Sequence, residues 1–97
     1  MLSFLQKLLR FAPRQRPDLQ FTLITRKNCH LCDDALMLLE EARRRNGVSL
    51  EIVDVDSSAE LLAQHDKCVP VVLVNGKVRF RGKVNRVLLQ RLLNAAP

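Results

Sequence analysis

Cys29 and Cys32 are the two side chains whose type and spacing could do chemistry. They lie in the run Thr25-Arg26-Lys27-Asn28-Cys29-His30-Leu31-Cys32-Asp33-Asp34. Two thiols three residues apart at the start of a helix reach one another, so they can cycle between dithiol and disulfide or hold a soft metal ion. The run follows an apolar stretch, residues 21–24, and precedes a long helical pattern, so a strand hands over to a helix here. A helix N-terminus offers unpaired N–H groups and the positive end of the macrodipole, and both favour a thiolate. Cys29, at about the N-cap, is therefore the expected nucleophile. Cys32, inside the first turn and more shielded, is the expected resolving thiol. Asp33 and Asp34 complement the dipole but oppose ionisation of a neighbouring sulfur, so the net bias towards thiolate is modest.

Three further side chains bear on this chemistry. An imidazolium at His30 would stabilise a Cys29 thiolate, although a solvated ring with no part in catalysis explains the residue as well. Cys68 reads either as a small buried hydrophobe or as a third redox-active thiol. With His65 it also completes a rival set, Cys29, Cys32, His65 and Cys68, whose spacing suits zinc or an iron–sulfur cluster.

The elements that must position these groups read βαβαββα from Leu19 onward. Residues 21–25 form a first strand, residues 30–46 a helix stopped by Gly47 in the left-handed C-terminal position, and residues 49–54 a second strand with Leu50, Ile52 and, less strictly, Val53 as its alternating apolar positions. Strand, helix and strand within about thirty-five residues make a right-handed parallel unit. Ser57 or Ser58 caps a short helix that runs to Gln64. Residues 71–74, four consecutive branched aliphatics, make a buried strand. Asn75-Gly76 signals a hairpin to an edge strand at residues 78–81. Val84, Val87, Leu88 and Leu92 then form the expected apolar stripe of a closing helix. Pro70 sits directly before the buried strand, where a residue without an N–H fits at the strand's first position or in a cis Val69-Pro70 bond.

The 97 residues suffice for one modest core, which must be aliphatic because the chain has four Phe and neither Trp nor Tyr. Three cysteines with one close pair argue against an extracellular disulfide framework and for a reducing compartment. The net charge of +6 is uneven. Residues 1–17 hold Lys7, Arg10, Arg14 and Arg16 and no acid, nine of the ten acids fall within residues 33–66, and residues 77–91 hold six basic residues and none acidic. Phe80 is the single aromatic residue in that basic segment, too few for a base-stacking surface, so no nucleic-acid partner is expected. Residues 1–12 place Leu2, Leu5, Leu9, Phe4, Leu8 and Phe11 at helical spacing before Pro13 and Pro17. They read as a basic amphipathic arm and linker over residues 1–17, joined to a domain over residues 18–97. The arm fits a docked helix, a tail or a targeting segment.

Cys-x-x-Cys after a first strand, a βαβ unit, Val-Pro, a hydrophobic strand, Asn-Gly and a final helix together resemble the thioredoxin-fold superfamily. The Cys-His-Leu-Cys-Asp-Asp-Ala run, Val69-Pro70-Val71, and Phe80, Gly82 and Val84 are most similar to its small glutaredoxin-like proteins. The resemblance covers residues 20–95 and implies a four-stranded mixed sheet flanked by helices. It further implies a nucleophilic Cys29, a resolving Cys32, and a cis-proline loop at Val69 and Pro70 facing the disulfide. Arg26 takes the place of a basic residue that meets a glutathione carboxylate. Gly82 and Asn85 are what remains of a Gly-Gly-x-x-Asp glutathione segment. The chain departs from the family's Cys-Pro-Tyr-Cys at His30 and Leu31, and from its Thr-Val-Pro at Cys68. The activity implied by the resemblance is that of a thiol-disulfide oxidoreductase acting on a protein disulfide or a glutathione mixed disulfide. Glutathione or a reductase would be its electron donor, with no bound cofactor and no membrane span. A monomer suffices, and the cytoplasm is the expected location, or the mitochondrion in a eukaryote. The readings from other classes are the metal site above and a non-catalytic interaction module.

Overall fold

A computed structural model describes residues 12–96; most of the amphipathic arm lies outside the described residues. The elements in chain order are β1 (Gln20–Thr25), α1 (His30–Asn46), β2 (Ser49–Asp54), a 3₁₀ turn (Val55–Ser57), α2 (Ala59–His65), β3 (Val71–Val74), β4 (Lys77–Arg81) and α3 (Arg86–Asn94). They form the expected βαβαββα arrangement, a single mixed sheet in the order β2-β1-β3-β4. β1 runs parallel to β2 and antiparallel to β3, and β3 runs antiparallel to β4.

Alternation along the central strands builds two cores. Phe21 and Leu23 of β1, with Val72 and Val74 of β3, face one side and pack with Ala35, Leu39 and Ala42 of α1 and Leu89 and Leu93 of α3. Ile24 and Val71 face the other side, where Val55, Leu61 and Cys68 cover them under α2. Strands buried on both faces need apolar residues at consecutive positions, which is why 71–74 is Val-Val-Leu-Val.

The termini of the elements follow local chemistry. Gly47 ends α1 at φ 66°, and its N–H donates to Arg43 O at 3.2 Å. The positive φ strains any other residue there, and a Cβ would stand 2.8 Å from Gln15 Oε1, so the end of that side chain would have to shift as well. Ser58 Oγ accepts from Leu61 N–H at 3.1 Å and starts α2. Asn75 (φ 50°) and Gly76 (φ 84°) make the two-residue hairpin turn with both central φ angles positive. Asn75 Oδ1 also accepts from Gln20 N–H at 2.8 Å and so ties the hairpin to β1.

Two parts of the sequence reading need correction. Val87 and Leu88 do not face the core but are 59% and 50% exposed. Asn85 is the N-cap of α3, so Val84 precedes the helix, and the inward positions one turn apart are Leu89 and Leu93, with Leu92 half-buried. In β2, an edge strand, Ile52 shares the face of the partly buried Leu50 yet is 51% exposed, so the core covers only the first part of that face.

The segment read as a linker makes contacts of its own. Arg16 is 4% exposed. Its backbone N–H donates to Asn46 O, its Nη1 donates to the carbonyls of Leu92, Leu93 and Ala95 at 3.1, 3.0 and 2.6 Å, and it pairs with Asp18 at 3.0 Å. A guanidinium across the last carbonyls of α3 satisfies orphan acceptors and sits at the negative end of the helix dipole. It also holds the Asp18 carboxyl below the usual carboxylate range through their hydrogen bond. Gln15 Nε2 donates to Arg45 O, and Asn46 Nδ2 donates to Arg14 O, at 2.8 and 2.9 Å. Replacing Arg16 with Ala leaves several of these carbonyls without their charged donor, and the melting temperature is expected to fall by roughly 5–10 °C. A fall below about 1 °C in a thermal melt would show that the contacts carry no stability.

Candidate active site

The sheet register decides what meets the cysteines. Ile24 pairs with Val71 across the antiparallel β1–β3 ladder. The end of β1 that leads to Cys29 therefore lies at the same edge of the sheet as the start of β3, which the loop of Cys68, Val69 and Pro70 precedes. The Val69-Pro70 bond is cis, and Pro70 is buried. Gly82, with φ 78°, donates its N–H to Cys68 O at 3.0 Å and to Pro70 O at 2.8 Å, binding the end of β4 to that loop.

After β1 the chain turns through Asn28, a left-handed residue at φ 57°, into Cys29, an extended residue that is the N-cap of α1. Cys29 O accepts the first helical hydrogen bond, from Asp33 N–H, and Cys29 Sγ accepts from Cys32 N–H at 3.2 Å. The half-buried Cys29 sulfur thus fills the capping role that an oxygen usually takes, facing donors that stabilise negative charge. Cys32 is 1% exposed, directly behind it. Burial pushes the Cys32 thiol up from its ordinary value, and the hydrogen bond with Cys29 adds to this. Contacts with the Thr25 side chain and the Arg26 backbone oppose the shift without cancelling it. All three cysteines are free thiols.

The other sequence-derived candidates take varied places. His30 is exposed on the first turn of α1. Cys68 is half-buried and packs under the α2 core with Ile24, Val55 and Val71. Arg26 donates to Asp56 through Nε and Nη2, to the Asp66 carboxylate through Nη2, and to the Asp66 backbone carbonyl through Nη1. It staples the loop after β1 to the 3₁₀ turn and to the end of α2, with two carboxylates already on its guanidinium. Asn85 Oδ1 accepts from Leu88 N–H at 3.0 Å as the cap of α3. His65 is 7% exposed, and its Nδ1 has no hydrogen-bond partner among the described residues. Among the described residues no three His, Cys, Asp or Glu side chains are placed to hold a metal ion. The rival set of Cys29, Cys32, His65 and Cys68 is therefore not assembled.

Two features went unread in the sequence. Arg16 is the buried cation described above, and its only signal was Asp18 two residues on. A groove also opens between the start of α1 and the segment after β4, lined by Leu31, Asp34, Met37, Lys83, Val84 and Val87 among others. Exposed apolar residues on two separate elements do not announce that they share a depression.

Among the described residues no helix is long and apolar enough to cross a membrane. No curated protein matches the sequence. Solved structures do. The crystal structure of Northeast Structural Genomics target protein XcR50 from X. campestris is 31% identical, with a TM-score of 0.64 over 79% of this chain and 99% of that one. The oxidised thioredoxin of Plasmodium falciparum, at 21% identity, gives a TM-score of 0.57 over 77% of each chain. The glutaredoxin of Archaeoglobus fulgidus, at 17%, gives 0.54 over 98% of each. These two show the fold, a thioredoxin fold. The family described as Glutaredoxin-like domain (DUF836) matches residues 20–94, a span that contains both cysteines, the cis-proline loop and all four strands, and to that family this chain belongs.

Proposed function

We propose that this glutaredoxin-like domain is a thiol-disulfide oxidoreductase whose working pair is Cys29 and Cys32. The observation that carries the reading is the half-buried Cys29 sulfur at the N-cap of α1, with the buried Cys32 one turn behind it. The Cys29 thiolate attacks one sulfur of a substrate disulfide. A Cys29–substrate bond forms, the substrate S–S bond breaks, and the departing thiolate takes up a proton. Cys32 then gives up its proton and attacks the Cys29 sulfur, which releases the second substrate thiol and leaves a Cys29–Cys32 disulfide. Two electrons pass from the protein to the substrate, with one proton supplied by Cys32 and the other by solvent. Glutathione or a protein reductase then returns the pair to the dithiol, so no bound cofactor is needed, and the cytoplasm supplies the reducing conditions.

The two steps differ in their response to pH. Because the Cys32 thiol is held up by burial, the second step speeds up as pH rises through and beyond the ordinary thiol range. The sign for stability is opposite. A raised folded-state pKa stabilises the reduced fold at pH values below the unfolded thiol pKa, and that contribution is lost as pH climbs through the folded value.

The direct experiment is to mix Cys32→Ser with a disulfide-linked peptide and weigh the product. An adduct of one half-peptide on Cys29 should persist, reversed only by added thiol, whereas the unmodified protein should end as the internal disulfide. If no adduct accumulates while Cys29 remains titratable, Cys32 does not resolve a Cys29 mixed disulfide and the mechanism is wrong.

Val69, Pro70, Gly82 and Asn85 would border the bound substrate. Val69 would offer backbone hydrogen bonds beside the reacting sulfurs, and Asn85 would offer its carboxamide N–H groups. Arg26 would reach a glutathione carboxylate only by exchanging one of its two aspartate partners.

A further inference from the structure

The surroundings of the cysteines are lopsided in charge and in polarity. On one flank Arg26 is matched by Asp56 and Asp66. On the other, residues 67–97 contain seven basic residues and no acid. Gly82 is bonded to the carbonyls of Cys68 and Pro70, which holds its neighbours Arg81 and Lys83 beside the cis-proline loop. Arg81 and Lys83 are exposed and meet no carboxylate among the described residues, while Arg86 reaches Glu41 at 3.6 Å.

The groove on this flank includes Leu31, the residue that lies between the two cysteines in the chain. Leu31, Met37 and Val87 are 43%, 71% and 59% exposed, and Val84 forms the buried floor between them. Asp34, on α1, is the acidic residue in the lining, while Lys83 and Arg86 are the basic ones, so an incoming carboxylate is favoured away from the α1 wall. The two described aromatics, Phe21 and Phe80, are buried, so this face has no ring on which a nucleic-acid base could stack.

We propose that the partner is a polypeptide disulfide that sets an apolar side chain between Leu31, Met37 and Val87 and carries carboxylates beside its reactive cysteine to meet Arg81 and Lys83. This rests on the oxidoreductase reading above and names the substrate class for the same site. The apolar contact supplies affinity, and the charge contact supplies orientation and rate of encounter.

The test uses the full-length protein, pre-reduced and in excess, so that its own dithiol is the reductant. Two disulfide-linked peptides differ only next to the cysteine, one Leu-Asp-Glu and the other Leu-Lys-Arg, and 2-hydroxyethyl disulfide serves as an uncharged reference. At low salt the acidic peptide should be reduced about 10-fold faster than the basic one. That ratio should shrink towards one in about 0.5 M salt, where exposed charges are screened. In Arg81→Glu/Lys83→Glu the preference should reverse, each rate being divided by the same variant's rate with the reference. A peptide with Ser in place of Leu should react more slowly, and Met37→Ser should narrow that gap. Equal rates for the acidic and basic peptides, with the reference still reduced, overturn the docking proposal and leave the oxidoreductase reading standing. Failure to reduce either peptide or the reference overturns both. A salt-insensitive preference, or a leucine effect that Met37→Ser leaves unchanged, would place recognition elsewhere.

Discussion

Cys29→Ser is expected to reduce turnover of any disulfide to that of a protein-free control, with the fold unchanged. A serine hydroxyl ionises far less readily than a thiol and forms no stable S–O counterpart of the mixed disulfide, so the first step has no nucleophile. Serine is also among the best N-cap residues, and its oxygen can accept from Cys32 N–H as the sulfur does. The variant therefore isolates chemistry from structure, and its melting temperature should match or exceed that of the parent. The comparison with Cys32→Ser sharpens the assignment. That variant should keep the first step and lose the second, giving a trapped adduct without turnover. Substantial turnover by Cys29→Ser would shift the nucleophile to Cys32 or Cys68, contrary to the burial of the first and the packing of the second under α2.

Phe21→Ala is expected to be among the most destabilising single truncations in the core. Phe21 is 0% exposed at the centre of the larger core, on the strand that pairs with both β2 and β3. Its neighbours come from the sheet and from both long helices, so the void cannot close by the movement of one element. Truncating a buried Phe costs about 3–5 kcal/mol. Small domains have roughly 5–15 kcal/mol in total, so this is a large share of the whole. Urea unfolding should show the loss as a lower midpoint at nearly constant slope. Val87→Ala, on the exposed side of α3, should change stability by less than about 0.5 kcal/mol. If the two variants were equally destabilised, the placement of α3 with Leu89 and Leu93 inward would be wrong.

That contrast also marks where local patterns stop being informative. The closing helix was legible as a helix because its leucines recur at helical intervals, but the choice of face was not. Val84, Val87, Leu88 and Leu92 form one acceptable stripe, and Leu89, Leu92 and Leu93 form another. Which of them is buried depends on Asn85 capping the helix and on the angle at which α3 meets α1 and the sheet. Arg16 escaped notice for a related reason. In sequence it is one more cation in an acid-poor segment between two prolines. Its partners at residues 92–95 are more than seventy positions away, and backbone carbonyls leave no mark in a sequence.

By itself the sequence determined the order and extent of the elements, since apolar period, caps and turn residues act over a few positions. Gly47, Ser58, Asn75 and Gly76 stand where the chain had to stop, start or reverse. It also placed a dithiol at a strand-to-helix junction, since three residues of helix bring Cys32 N–H to the Cys29 sulfur whatever surrounds them. Only the tertiary structure decided the electrostatic company of that dithiol. It engaged Arg26 with Asp56 and Asp66, kept His65 and Cys68 from joining the cysteines as metal ligands, and set Arg81 and Lys83 beside the cis-proline loop. Charges interact over distances that the fold sets, and positions forty residues apart in the chain, such as Arg26 and Asp66, become neighbours only when the sheet closes.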